Sequence, residues 1–195
     1  SVTFTAITDY SGLEYAVNLK SLFFSNCELS GNIDFLKNCP DLTELSFWDC
    51  SGITDVSAIA SLKNLKHLTL SNVKVNTIDE LSGLTNLTGL VLEGTEITDI
   101  SVISNFKNLE RLEIIEMNIS DIDFLADFTQ MRFLVLDNTE ITDITALSNL
   151  TNLYYLSLAG SPITDITALS NLTNLTMLYL DDTLITDVTP LADMS

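Results

Sequence analysis

His67 is the only imidazole in the chain, so any general acid–base chemistry would have to begin there. A Ser/His/Asp site needs a nucleophile and an orienting acid converging on the ring. Thr69 and Ser71 follow His67 at alternate positions, as on any polar strand face, and Glu44, 23 residues earlier, offers an ion pair across neighbouring strands instead. Cys27, Cys39 and Cys50 show no C-x-x-C spacing, so they carry no zinc signal. Cys27 and Cys50 hold equivalent places one repeat apart, which makes a disulfide between adjacent strands conceivable. Stacked buried thiols are the simpler reading. Asp55, Asp99, Asp121, Asp143, Asp165 and Asp187, with Asp9 before them, recur at one offset. Such a column could suggest calcium, but the segments lack the glycine and alternating carboxylates of a calcium loop. Each Asp instead suits the N-cap of a short helical segment. No Gly-rich phosphate loop occurs among the 7 glycines. These residues therefore predict no catalytic residue, no cofactor site, no metal site and no enzyme.

The elements that would position any functional group are set by a repeat. With Leu153 at offset zero, apolar residues fall at Leu156, Leu158, Ile163, Ile166, Leu169 and Leu172, and the next period opens at Leu175. The same offsets recur from Met131, Leu109, Leu87 and Leu65, each 22 residues earlier. Full repeats start at residues 19, 42, 65, 87, 109, 131 and 153, and the first two are each one residue longer, with the insertions near Gly31–Ile33 and Asp49–Gly52. Residues 1–18 form a partial first repeat, in which Ile7, Tyr10, Leu13 and Ala16 hold the core places, and the repeat from 175 is truncated. Residues 1–195 thus read as one elongated domain, since each turn packs only on its neighbours. Both ends lie inside a period, so the chain reads as a fragment that has lost any targeting segment.

Two periodicities alternate within a repeat. The first part, L-x-x-L-x-L, contains the two-residue alternation of a short strand. The second part, I-T-D-I-x-x-L-x-x-L, repeats every three residues, the period of a 3₁₀ segment. Pro190 sits near the start of its segment, where a missing N–H matters little. An amide precedes the first Leu of most repeats (Asn18, Asn64, Asn86, Asn108, Gln130, Asn152, Asn174, with Asp41 the exception). Its expected role is to satisfy backbone groups at the corner. The N-x-[ST] matches there arise from the repeat itself and are weak glycosylation signals.

In a strand, alternate side chains face opposite sides. Offsets +3 and +5 then point into the core, and +2, +4 and +6 face the open side. The open columns contain large apolar groups that core packing does not require: Phe133, Val135, Tyr155, Met177 and Tyr179, from three consecutive repeats, rimmed by Asp137, Asp181 and Asp182. Phe23 and Trp48 form a smaller set. Clusters of this type mark interfaces.

The net charge is −19, from 27 acids and 8 bases, and no Lys or Arg follows Arg132. Asp137, Glu140, Asp143, Asp165, Asp181, Asp182, Asp187 and Asp193 make the last third acidic. Such a surface repels phosphate backbones and anionic membranes, and any charged ligand it steers is cationic. Apolar residues form no run long enough to span a bilayer, so no membrane insertion is expected.

The phrases ITDISVISNFKNL, ITDITALSNLTNL and ITDVTPLADM resemble the leucine-rich repeats of bacterial internalin-like proteins, across essentially the whole chain. The column eight residues after the first Leu departs from the Asn common there, reading Cys27, Cys50, Val73, Thr95, Met117, Thr139, Ser161, Thr183. The resemblance implies a right-handed, curved leucine-rich-repeat solenoid of the α/β type, mainly β by content. Its concave face carries a parallel sheet and its convex face 3₁₀ or irregular segments. It implies a surface-displayed or secreted, cell-wall-associated bacterial adhesin-like module. The partner expected on the concave face is a protein with a basic patch, or in second place a glycan. The alternative is an intracellular scaffold similar to the 22-residue-repeat regulators of phosphatases.

Overall fold

The computed structural model describes residues 1–5, 10–29 and 33–192. The expectations placed on Ile7, Asp9, Gly31, Asn32 and Asp193 lie outside these. The chain divides into two compact units, Ser1–Phe106 and Lys107–Ser195.

In the first unit the strands are β1 (Val2–Thr5), β2 (Ser21–Ser25), β3 (Glu44–Trp48), β4 (His67–Ser71) and β5 (Gly89–Glu93). They pair in chain order, all parallel, with equivalent residues opposite one another, as in Leu22↔Leu45 and Leu45↔Leu68. In the second unit β6 (Arg111–Ile115), β7 (Phe133–Asp137), β8 (Tyr155–Ser157) and β9 (Met177–Tyr179) pair in the same manner. Each strand is followed by a 3₁₀ segment, such as Ser57–Ser61 in the first unit and Thr145–Asn149 in the second. Within each unit this is the stacked strand-and-3₁₀ repeat that the spacing predicts, as the resemblance to leucine-rich repeats implies.

The strand frame is also as predicted. Leu22, Phe24, Leu45, Phe47, Leu134, Leu136 and Leu156 are all fully buried. In the first unit the inward rings stack from turn to turn, Phe4 on Phe24 at 5.3 Å and Phe24 on Phe47 at 5.1 Å between centroids. The 3₁₀ half satisfies its backbone along the line of its core side chains. Ile59 N donates to Val56 O, Leu62 N to Ile59 O and Leu65 N to Leu62 O, at 2.9–3.0 Å. The residues that bury side chains every third place therefore also close the i→i−3 bonds, which gives the buried N–H groups of Ile59, Leu62 and Leu65 their partners.

Four of the repeated amides act as predicted at the corners. Asn64 Nδ2 donates to Pro40 O, Asn86 to Lys63 O, Asn152 to Thr129 O and Asn174 to Thr151 O, at 2.7–3.0 Å.

The aspartate column needs correcting. Asp55, Asp99, Asp121, Asp143, Asp165 and Asp187 are not N-caps. The capping position is taken by the Ile or Val that follows, buried at Val56 and Ile144 and exposed at Val188. Each Asp stands one residue earlier and its Oδ1 accepts the N–H two residues on, as from Ser57, Thr145 and Thr167. The cap place falls to that residue because its carbonyl accepts the first i→i−3 bond, Val56 O from Ile59 N, Ile144 O from Leu147 N and Val188 O from Leu191 N. The carboxylate still satisfies an orphan amide, from outside the segment.

A second column went unread in the sequence. Asn26, Asp49, Asn72, Glu116, Asn138 and Asp182, with Gly94 and Gly160, all have φ between 51° and 69°. Each lies two residues after the last inward strand position. The left-handed turn lets the amide donate to the next strand's end, as Asn72 N does to Glu93 O and Asn138 N to Ala159 O. Asn, Asp and Gly are the residues that accept this conformation most readily. Glu116 is the exception.

Candidate functional site

The open face of the second unit carries a continuous stack. Register places Arg111 opposite Phe133 and Phe133 opposite Tyr155. The Arg111 guanidinium lies over the Phe133 ring, 3.9 Å from its centroid. Phe133 stacks on Tyr155 with centroids 4.1 Å apart and planes 11° from parallel. Tyr155 meets Tyr179 at 5.4 Å, tilted by 37°. Strands only about 4.8 Å apart bring flat rings at one offset face to face. Arg111 is held in place by Glu113, whose Oε1 accepts from Nη2 at 2.6 Å and from Nε at 2.7 Å.

Of the residues singled out in the sequence, the structure brings Phe133, Tyr155 and Tyr179 into one contiguous rail. Met177 sits opposite Tyr155 and is 46% exposed, with Tyr179 at 43%. Val135 is only 5% exposed, so it floors the rail beneath its neighbours. Asp137 is turned to its own chain, its Oδ1 accepting from Ser157 Oγ at 2.6 Å and from Ala159 N at 2.9 Å. Asp181 is exposed, and its backbone carbonyl accepts from Gly160 N. Asp182 is also exposed and holds a left-handed corner at φ 54°.

Burial pushes the Tyr155 phenol above its ordinary value, and the neighbouring Tyr179 and the carboxylates of Asp137 and Glu113 add to the effect. The phenol therefore stays protonated at neutral pH and presents a donor.

Three contributors to the face were not picked out by the apolar count. Arg111 and Glu113 read as ordinary polar strand residues, and only the register shows that the cation covers a ring. Tyr154 lies one place before the alternating strand. It is 41% exposed and meets Phe133 edge-on at 6.4 Å.

In the first unit, Trp48 is 42% exposed and lies opposite Ser25 and Ser71, whereas Phe23 lies opposite Thr3 and Ser46. The two belong to different columns of the face and share no ring contact among the described residues. His67 stands opposite Glu44 in the sheet, but among the described residues the ion pairs do not include it. Its ring instead leans over Gly89, where an added Cβ would meet Nδ1 at 2.5 Å. The glycine thus makes room for the imidazole.

Cys27, Cys39 and Cys50 are free and buried. Beside Cys27, burial pushes the Tyr10 phenol up to about 12, with Cys27 adding to the shift. Among the described residues no group of three or more His, Cys, Asp and Glu is arranged to hold a metal ion. A hollow on the 3₁₀ side of the second unit is lined by Asp143, Thr145, Ser148, Asp165, Thr167 and Asn171. Its two carboxylates are already engaged with Thr145 and Thr167. Among the described residues no helix is long and apolar enough to cross a membrane.

Repeated short parallel strands, 3₁₀ returns and an aromatic open face define a leucine-rich-repeat scaffold of the kind used to bind proteins. The chain belongs to the leucine-rich-repeat family, whose two-copy pattern (Leucine Rich repeats) matches residues 17–61, 63–105, 85–127, 129–171 and 151–193, and within that family it is a bacterial internalin-like protein. It is similar to internalin C2 of Listeria monocytogenes, with 33% identity and a TM-score of 0.81 over 90% of this chain and 76% of that one. Internalin F of the same organism matches at 30% identity and a TM-score of 0.80, over 97% of this chain and 63% of that one. The chain therefore spans less than two-thirds of internalin F. TLR13, in a structure of its complex with ssRNA13, matches at 26% identity and a TM-score of 0.71 over 88% of this chain and 26% of that one. No curated protein sequence matches the chain at a significant level.

Proposed function

We propose that the chain is a non-enzymatic recognition module of a secreted or cell-surface bacterial protein, and that it binds a protein partner on the open face of β7–β9. The observation that carries this reading is the rail of Phe133, Tyr155 and Tyr179 on the open side of the sheet, half-buried at Phe133 and Tyr155 and exposed at Tyr179, where the core does not need it. Rigid aromatic groups at a desolvated centre dominate interface energetics, and Tyr and Arg are enriched there. The internalin relatives favour display outside the cell. The RNA in the TLR13 complex belongs to that protein. Here a net charge of −19, with Arg111, the cation of the stack, held by Glu113, favours a protein over a phosphate backbone.

The test is site-specific photo-crosslinking. A benzophenone amino acid at position 177, on the face, is compared with one at position 148, on the 3₁₀ side, in the presence of candidate partner proteins. Adducts are expected from 177 and should be reduced by Tyr155→Ala. Adducts from 148 alone, indifferent to Tyr155→Ala, would place binding on the opposite side.

A further inference from the structure

The face already contains one occupied guanidinium site, and at the opposite end of the same rail a ring and a carboxylate again stand on the open side, this time both from one repeat and, among the described residues, in no cation–ring contact or ion pair. At the occupied end, the Arg111 guanidinium lies on an aromatic ring and is gripped by a carboxylate two residues along the same strand. At the other end, Tyr179 offers an aromatic ring that is 43% exposed, and Asp181, two residues further along, offers an exposed carboxylate. Among the described residues, Asp181 takes part in none of the ion pairs. No Lys or Arg follows Arg132, and the three bases of the second unit are otherwise engaged: Lys107 with Asp127, Arg111 with Glu113, Arg132 with Glu110.

We propose that the Tyr179 end of the rail binds an arginine side chain of the protein partner, the guanidinium stacking on Tyr179 and pairing with the Asp181 carboxylate. The inference rests on the protein-binding reading above and gives the partner its chemistry. Arginine fits better than lysine, because a planar guanidinium can stack on a ring and present a fork of N–H donors to a carboxylate at once. The acidic surface would also steer a basic segment toward this end. Met177 borders the site and supplies an adaptable apolar contact for the arginine stem.

The probe is the peptide acetyl-Gly-Arg-Gly-Arg-Gly-amide, titrated into the protein at about physiological salt so that diffuse attraction is screened. Its counterpart has both arginines replaced by citrulline, which keeps the shape and removes the charge. Binding is followed residue by residue by NMR. The arginine peptide is expected to shift the resonances of Tyr155, Met177, Tyr179 and Asp181 saturably, and the citrulline peptide to leave them in place. Tyr179→Leu and Asp181→Asn should each weaken binding by about threefold or more, and the double variant by about tenfold. Both side chains are exposed, so the variants should keep the parent's melting curve. Equal shifts with citrulline, shifts centred on Asp143 and Asp165, or unchanged affinity in the double variant would each overturn the proposal. If crosslinking from position 177 still captures a partner in that event, the recognition reading stands and only the arginine site falls. If the peptide binds as expected but position 177 captures nothing, the arginine site stands and the recognition reading is the one in doubt.

Discussion

Phe133 and Tyr155 lie face to face across adjacent strands, ring centroids 4.1 Å apart, above Leu134 and Leu156, which are fully buried on the other side of the sheet. One strand thus carries a core residue and an open-face residue as immediate neighbours, and the two should respond to truncation very differently.

Leu156→Ala should destabilise by about 2–5 kcal/mol, the range for a buried leucine whose cavity cannot fully close. Tyr155→Ala should lose much less, chiefly the ring pairing. A double-mutant cycle of Phe133→Ala and Tyr155→Ala should return a coupling of about 0.5–1.5 kcal/mol. Urea titration of the four proteins gives both numbers. Equal losses from Leu156→Ala and Tyr155→Ala would put the strand one residue out of frame.

Asp137→Ala should destabilise by about 1.5–3 kcal/mol, since hydrogen bonds to a charged group from Ser157 Oγ and Ala159 N are lost together. Asp181→Asn should leave the unfolding midpoint within about 0.5 kcal/mol of the parent, as exposed substitutions do. A stability loss from Asp181→Asn equal to that from Asp137→Ala would contradict the distinction between a carboxylate used internally and one exposed to solvent.

Glu116 occupies the left-handed corner at φ 54° where the other turns place Asn, Asp or Gly. Glu116→Asn should stabilise by about 0.5–1 kcal/mol by relieving that backbone. Gly160→Ala should do the reverse by more than about 1 kcal/mol. Its φ is 69°, and a Cβ would meet Asn138 Oδ1 at 2.1 Å. Thermal unfolding of the two variants decides the matter, and a lower midpoint for Glu116→Asn would refute it.

Backbone and side-chain bonds from Thr145 hold the Asp143 carboxyl below its ordinary value, and Asp55, Asp99, Asp165 and Asp187 are lowered in the same way. Their contribution is whole above the ordinary carboxylate range. As the pH falls through that range the unfolded chain takes up protons first, so the contribution shrinks, and it is gone once the folded groups protonate too. Asp143→Asn keeps an oxygen to accept from Thr145 N but removes the titration. The acid limb of stability, followed by urea midpoints from about pH 5 to about pH 2, should therefore be shallower in the variant. An unchanged slope would show that the bond does not distinguish folded from unfolded chain.

The fold was legible because every core position is announced by spacing. The inward Leu156 and Leu158 and the threes from Ile163 to Leu172 needed no more than counting. The aromatic residues of the open face were legible as exceptions to that count. What stayed hidden depends on neighbours rather than on offset. Val135 is covered by what stands beside it, Asp137 is captured by Ser157, and Arg111 becomes part of an aromatic stack only because register sets it opposite Phe133. The aspartate column was visible, but its place relative to the cap was not, since that turns on which carbonyl accepts the first i→i−3 bond, and it is that of the following Ile or Val. The left-handed column was there to be read in Asn26, Asp49, Asn72, Gly94, Asn138, Gly160 and Asp182, and Glu116 disguised it.

The corner amides bind carbonyls a nearly constant distance back along the chain: Asn64 to Pro40, Asn86 to Lys63, Asn152 to Thr129 and Asn174 to Thr151 are separations of 23 or 24 residues. Closing a loop of that size costs the same entropy wherever in the stack it occurs, because the cost depends on loop length and not on chain length. Within each unit, folding can then advance as a zipper, each completed turn templating the next at an unchanging entropic step. A molecule built this way could lengthen its binding face by whole turns without slowing the closure of any one of them, and pulled from one end it would release its turns in sequence rather than all together.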